Sequence, residues 1–146
     1  MKVIGFNFTK LHADKKPEFN LKSNKEIKVD FTDVKEDKLD LIKADTIYSI
    51  SFNYSVNYTD AVSKKPASLA EIIIEGKVTI SVDKEENKTF SKNSKKKEFD
   101  IKFKEGLFNF LLQKCTPKAL DLEDELGLPM HLQLPSIKLQ QPVKQE

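Results

Sequence analysis

The chain has no arginine and no tryptophan, one cysteine and four glycines in 146 residues. Each scarcity excludes something. Without arginine there is no guanidinium fork to grip a phosphate or a guanine edge at two points, which argues against a sequence-specific nucleic-acid reader. A single cysteine, Cys115, forbids an internal disulfide; with no apolar leader core after Met1, it fits a reducing cytoplasm. Four glycines leave little material for a phosphate-cradling loop. No apolar run approaches the ~18 residues of a membrane span. Net charge is also nearly missing: 25 lysines against 23 acidic residues leave +2, too weak a field to attract nucleic acid or acidic lipid.

What is present in quantity is strict alternation. From Thr46 to Thr59 every second residue is apolar (Tyr48, Ile50, Phe52, Tyr54, Val56, Tyr58), and Ser49, Ser51, Asn53, Ser55 and Asn57 fall between them. That is the period of a half-buried β-strand. Burying one large apolar side chain is worth about 1.5–3 kcal/mol, so a face of this kind demands a cover from the chain or from a partner. The length suits one domain, residues 1–146, with a substantial core.

The same period recurs on both sides. Ile4, Phe6 and Phe8 predict a short strand within Lys2 to Thr9, followed by a loop or irregular edge from Lys10 to Asn24. Ile27, Val29 and Phe31 predict a second strand, and the jump of apolar phase to Val34 marks a bulge or the strand end. Leu39 to Asp45 reads as a charged connector, and Ala61 to Ser68, with Pro66, as a turn. Leu69 to Asp83 alternates through Ile72, Ile74, Val78, Ile80 and Val82; Gly76 interrupts it, marking a bulge or a place where a ring or another backbone packs close. Adjacent long strands with short polar loops predict an antiparallel meander.

The C-terminal third changes character. Lys84 to Lys97 reads as a hydrophilic hairpin or loop, with the lysine cluster Lys95 to Lys97 solvated. Phe99, Ile101 and Phe103 fit a strand; Phe99, Phe103, Leu107, Phe110 and Leu111 also repeat at helical spacing. The expectation is strand to Phe103, then helix from about Glu105 with Leu107, Phe108, Leu111, Leu112 and Cys115 as its stripe. Pro117 then separates a second helix carrying Leu120, Leu122 and Leu126, closed at Gly127. Beyond it Pro129 and Pro135 forbid helix, while Met130, Leu132 and Leu134 alternate, as in an extended strap lying on an apolar surface.

A search for catalytic chemistry is short. His12 and His131 have no Cys, His or carboxylate at metal-ligand spacing, and the acidic trio Glu123, Asp124 and Glu125 reads as a solvated helix end. Cys115 reads as a buried helical cysteine. No enzyme, cofactor or metal site is expected.

The residues from Gly127 onward carry a resemblance. A glycine, an apolar residue and a proline closing a helix, followed by LQLPSIKL, resemble the end of the SecB family of export chaperones. Upstream, NKEIKVDF resembles that family's second strand, TIYSISFNYSVNYT its long third, and AEIIIEGKVTI its fourth, with Gly76 where the family keeps glycine. The similarity spans roughly residues 25 to 139 and rests on hydrophobic pattern. The chain departs from bacterial export members in the Cys-Pro run before the main helix. Its near-neutral charge and short QQPVKQE end also argue against docking to the SecA translocation motor.

The resemblance implies a homo-oligomer, a dimer of dimers, that holds unfolded polypeptides, export precursors among them, in apolar grooves without nucleotide. Alternatives are a dedicated chaperone of one partner, such as an antitoxin, and a cup for a small apolar ligand. The fold expectation is α+β: an antiparallel sheet of four or more strands with C-terminal helices on one side. Candidate groove residues are the positions least easily buried by one chain: Phe6, Phe8, Val29, Phe31, Leu120, Leu122, Leu126, Met130 and Leu132. Methionine suits such a surface because its side chain is unbranched and polarisable.

Overall fold

Thr46 to Asp60 is a strand, and its alternation is realised in full: Tyr48, Ile50, Phe52, Tyr54, Val56 and Tyr58 are all buried. In a computed structural model, which describes residues 1–37, 45–62, 67–94 and 99–142, this strand is β3 of a four-stranded antiparallel sheet. The others are β1 (Lys2–Lys15), β2 (Ser23–Asp37) and β4 (Ser68–Val82). The connector residues Leu41 and Ile42, Pro66 of the 61–68 turn, and Lys95 to Lys97 lie outside the described residues.

Spatial order is β1-β4-β3-β2. Strands β2, β3 and β4 form the expected meander. β1, by contrast, does not sit beside β2; it pairs with β4 at the opposite edge, from Lys2 against Ser81 to Lys15 against Ala70. β1 is also longer than expected, and the loop shrinks to the residues after Lys15. That crossover rounds the end of the sheet, fixed by the Lys16 amide on the Leu69 carbonyl and by Phe19, whose ring meets Tyr58 edge-on at 5.9 Å.

Two sequence irregularities have structural counterparts. The register of β2 against β3 shifts between Phe31 and Asp33, the bulge that the phase jump to Val34 announced. Gly76 lies opposite Phe52 in β3 and Phe8 in β1. A Cβ there would stand 2.3 Å from the Asn7 carbonyl oxygen and 2.8 Å from the Phe52 ring, so the ring fills the space a side chain would need. The register of β1 against β4 shifts twice, between Val3 and Gly5 and between Phe8 and Lys10.

The helices differ from expectation in three places. Lys84 to Ser94 is helix α1, not a hairpin. Asp83 accepts the Glu86 amide at 2.8 Å, so the DKEE stretch is a helix start whose capping residue and acidic third position were legible. Residues 101–104 are helical, not strand: α2 runs unbroken over Ile101–Leu126. It passes through Pro117 because Pro117 and Gln113 are exposed, and the Gln113 carbonyl that loses its amide partner can take water instead. There is therefore one long C-terminal helix and not two. Gly127 closes it at φ 64°, with its amide on the Asp124 carbonyl and the Leu128 amide on the Glu123 carbonyl, a left-handed stop that glycine adopts at little cost.

α2 buries Leu107, Leu111, Cys115, Ala119 and Glu123, a file spaced by four residues, over the apolar faces of β3 and β4. The opposite sheet face, with Asn53 bonded to Glu75 and Ser68 to Asn57, is polar.

Candidate functional site

The long helix divides the apolar face into two flanks. Phe110 meets Phe6 of β1 at 5.6 Å, and Phe108 stacks on Phe31 of β2 at 4.9 Å; since β1 and β2 are opposite edges, α2 lies between them. On the β1 side Phe6 also stacks on Phe52 and touches Phe8 edge-on. On the β2 side Phe31 meets Phe99 edge-on at 5.8 Å. Phe6, Phe8, Phe31, Phe108 and Phe110 are all half-buried. Each flank is thus a shallow trough whose wall is α2 and whose floor is an edge strand.

Of the residues singled out from sequence, Phe6 and Phe8 lie in the first trough, and Val29 and Phe31 in the second. Leu122 and Leu126 pack against the core beneath the C-terminal end of α2, and Leu120 and Met130 are half-buried. Leu132 is 45% exposed. The nine therefore do not form one surface. Phe108 and Phe110 were missed as wall residues, although a pair of aromatics two apart on a helix points to its two sides.

The N-terminal end of α2 is an aromatic nest. Phe90 of α1 lies 4.3 Å from Tyr48, 5.4 Å from Phe99 and 5.1 Å from Phe103. Beside it opens an apolar cavity of about 390 Å³ lined by Met1, Val82, Phe90, Phe99 and Phe103, among others. The Tyr48 hydroxyl donates to Asn87, which in turn bonds Thr46, tying α1 to β3.

At the C-terminal end Asp124 and Glu125 are exposed, as expected of a solvated acidic helix end, but Glu123 is not. Glu123 is fully buried; its Oε1 pairs with His131 Nδ1 at 2.5 Å and its Oε2 accepts the His131 amide at 3.2 Å. The other ring nitrogen of His131, Nε2, lies 2.9 Å from the Tyr54 hydroxyl, so the imidazole bridges Glu123 and Tyr54. Tyr58 donates to the Pro129 carbonyl at 2.6 Å. Burial first, and then the Glu123 charge, pushes the Tyr58 hydroxyl up; burial, partly offset by a hydrogen bond with Thr116, raises Tyr54; burial alone pushes the Cys115 thiol up to about 12.

The segment after Gly127 crosses the sheet. Lys15 at the end of β1 donates to the Leu126 carbonyl at 2.6 Å, a cation at a helix C-terminus, and Lys25 of β2 donates to the Met130 carbonyl at 2.8 Å. Only its first part is a strap: Leu128 is buried, whereas residues 132–142 are exposed. The other histidine also has carboxylate neighbours, since Asp14, two residues along β1, and Glu71 on β4 share the exposed face of His12 at 3.6–3.7 Å. The expectation that neither imidazole has a carboxylate at metal-ligand spacing is corrected at His12, where Asp14 and Glu71 gather with it; among the described residues His131 has a single carboxylate partner, Glu123.

No family model matches the chain, and no curated protein does. A solved structure does. It is a SecB-like chaperone of Mycobacterium tuberculosis, in complex with a ChAD peptide from the HigA1 antitoxin, similar at a TM-score of 0.53 with 12% identity over 94% of this chain and 92% of that one. The likeness is one of fold: a four-stranded antiparallel sheet with a long helix packed on it. Among the described residues no helix is long and apolar enough to cross a membrane.

Proposed function

We propose that the chain is a nucleotide-independent chaperone, a binding protein and not an enzyme, that holds unfolded or non-native polypeptide in the two troughs beside α2. The observation that carries this reading is the pair of half-exposed apolar rows rich in aromatics, Phe6, Phe8 and Phe110 on one flank and Val29, Phe31 and Phe108 on the other. A packed core would hide such rings; rows left open on both sides of a rigid helix suit an extended chain with scattered apolar side chains. Each contact is weak, and several along one client add up by effective concentration. Holding by preferential binding of the unfolded state needs no energy source. The fold shared with a peptide-bound SecB-like chaperone supports the reading.

Homo-oligomerisation, a dimer of dimers working in the cytoplasm, belongs to the same proposal. Leu11 on β1 and Ile101, at 79% exposure, on α2 are apolar surface that one copy leaves uncovered. A narrower reading, a chaperone dedicated to one partner, is favoured by the antitoxin peptide on the structural neighbour. The test is delay of refolding of several unrelated slow-folding proteins, with mass by light scattering. Delay of many clients supports the general holdase, action on one partner alone the narrower reading, and a monomer indifferent to all of them overturns both.

A further inference from the structure

The strap Gly127–His131 is held mainly through its backbone. Tyr58 donates to the Pro129 carbonyl, Lys25 donates to the Met130 carbonyl, and Glu123 accepts the His131 amide: three consecutive residues whose main chain is read by side chains of β3, β2 and α2. At Pro129 and Met130 the hydrogen bonds read main chain alone, whereas Leu128 is held by burying its side chain in the core and His131 by its ring on Glu123 and Tyr54.

We infer that this seat is itself a peptide-binding site, closed at rest by the chain's own strap, and that an extended apolar segment of a non-native polypeptide enters by displacing residues 128–131. This rests on the polypeptide-binding reading above and names where in the molecule it begins. The strap is built like a client, with prolines that forbid helix and apolar residues at alternate positions. The residues that follow it leave the surface open to peeling, since Leu132, Leu134, Ile137 and Leu139 are all exposed, and Gly127 supplies a hinge. The seat also runs on into the second trough. Lys25, Ile27, Val29 and Phe31 alternate along β2 ahead of its bulge, a track of about 20 Å at ~3.3 Å per residue, enough for a client segment of about six residues.

The experiment uses the full chain and a reduced, carboxymethylated protein as a permanently unfolded probe. His131→Ala removes the strap's ring contacts and leaves Tyr58, Lys25 and Glu123 in place; it is expected to bind the probe about tenfold more tightly. A synthetic peptide of residues 127–139 is expected to compete. In the unaltered chain, probe binding is expected to strip hydrogen-exchange protection from the His131 amide, a readout that stands even if the variant does not fold. Unchanged or weaker affinity with protection retained overturns the strap inference and leaves the polypeptide-binding reading standing. No binding of the probe by either chain overturns both. A variant that doubles its mass without a gain in probe affinity shows a strap exchanged between copies, and also overturns the inference.

Discussion

The two ends of α2 are anchored by opposite chemistry. At the N-terminal end Phe99 and Phe103 meet each other and Phe90, which in turn meets Tyr48, through ring faces and edges beside an open cavity. At the C-terminal end a fully buried Glu123 is matched to the imidazole and amide of His131, while Tyr54 holds the same ring and Tyr58 the Pro129 carbonyl, all in a fixed register. Ring contacts are weakly directional and tolerate repacking. Buried hydrogen bonds tolerate little, because each unmet partner costs its full desolvation. The helix is thus adaptable where it begins and indexed where it ends, and the strap is placed from the indexed end.

The largest effect tests what both ends share, the sheet beneath them. Gly76→Val drives a side chain into the Asn7 carbonyl, and a loss of at least about 4 kcal/mol in urea unfolding is expected, since backbone must move. A loss under about 1 kcal/mol would show the close approach to be soft. Next, Glu123→Leu at the indexed end is expected to cost about 3 kcal/mol by leaving the His131 ring and amide unmet. Midway between the ends, Cys115 sharpens the contrast through pH. Its folded pKa lies above the free-thiol value of 9.0, at about 12, so the unfolded chain ionises first and stability falls as pH rises. At pH 10 the chain is expected to have lost about 1.4 kcal/mol relative to pH 7 that Cys115→Ala does not lose, read from paired unfolding curves. Smallest is Phe99→Leu at the adaptable end, about 1 kcal/mol, as the neighbouring rings close in. If this change proved as costly as Glu123→Leu, the contrast between the ends would be lost.

Much of this architecture was legible where period and packing agree. Tyr48 to Tyr58 named the face that the core is built on, Gly76 named the ring contact, the jump to Val34 named the bulge, and Gly127 named the helix end. The rest required partners that sequence spacing does not give. β1 was read as a strand, but its place beside β4 depends on which edge the crossover reaches. Phe99 to Phe103 fits both periods, and the partners that hold it, Phe90 of α1 and Phe31 of β2, are not given by spacing. Pro117 breaks helices on average, yet on an outward face over a continuous buried file it does not. Glu123 and His131 are eight residues apart across a left-handed turn, a separation that no helical or strand repeat brings together. For the candidate site, the floors of the troughs were legible and the walls were not. Phe6 and Val29 stood out as alternating residues on marginal strands, whereas Phe108 and Phe110 looked like any helix interior.

The register shifts along the outer strands bear on what can pair with the rim of the sheet. β1 changes step at two places and β2 at one, while β3 and β4 keep step with each other until their last pairs. A foreign strand laid along β1 would find no more than six residues in phase before its amides missed their carbonyls. The same shifts thereby limit the growth of a strand-by-strand ribbon along the β1 rim.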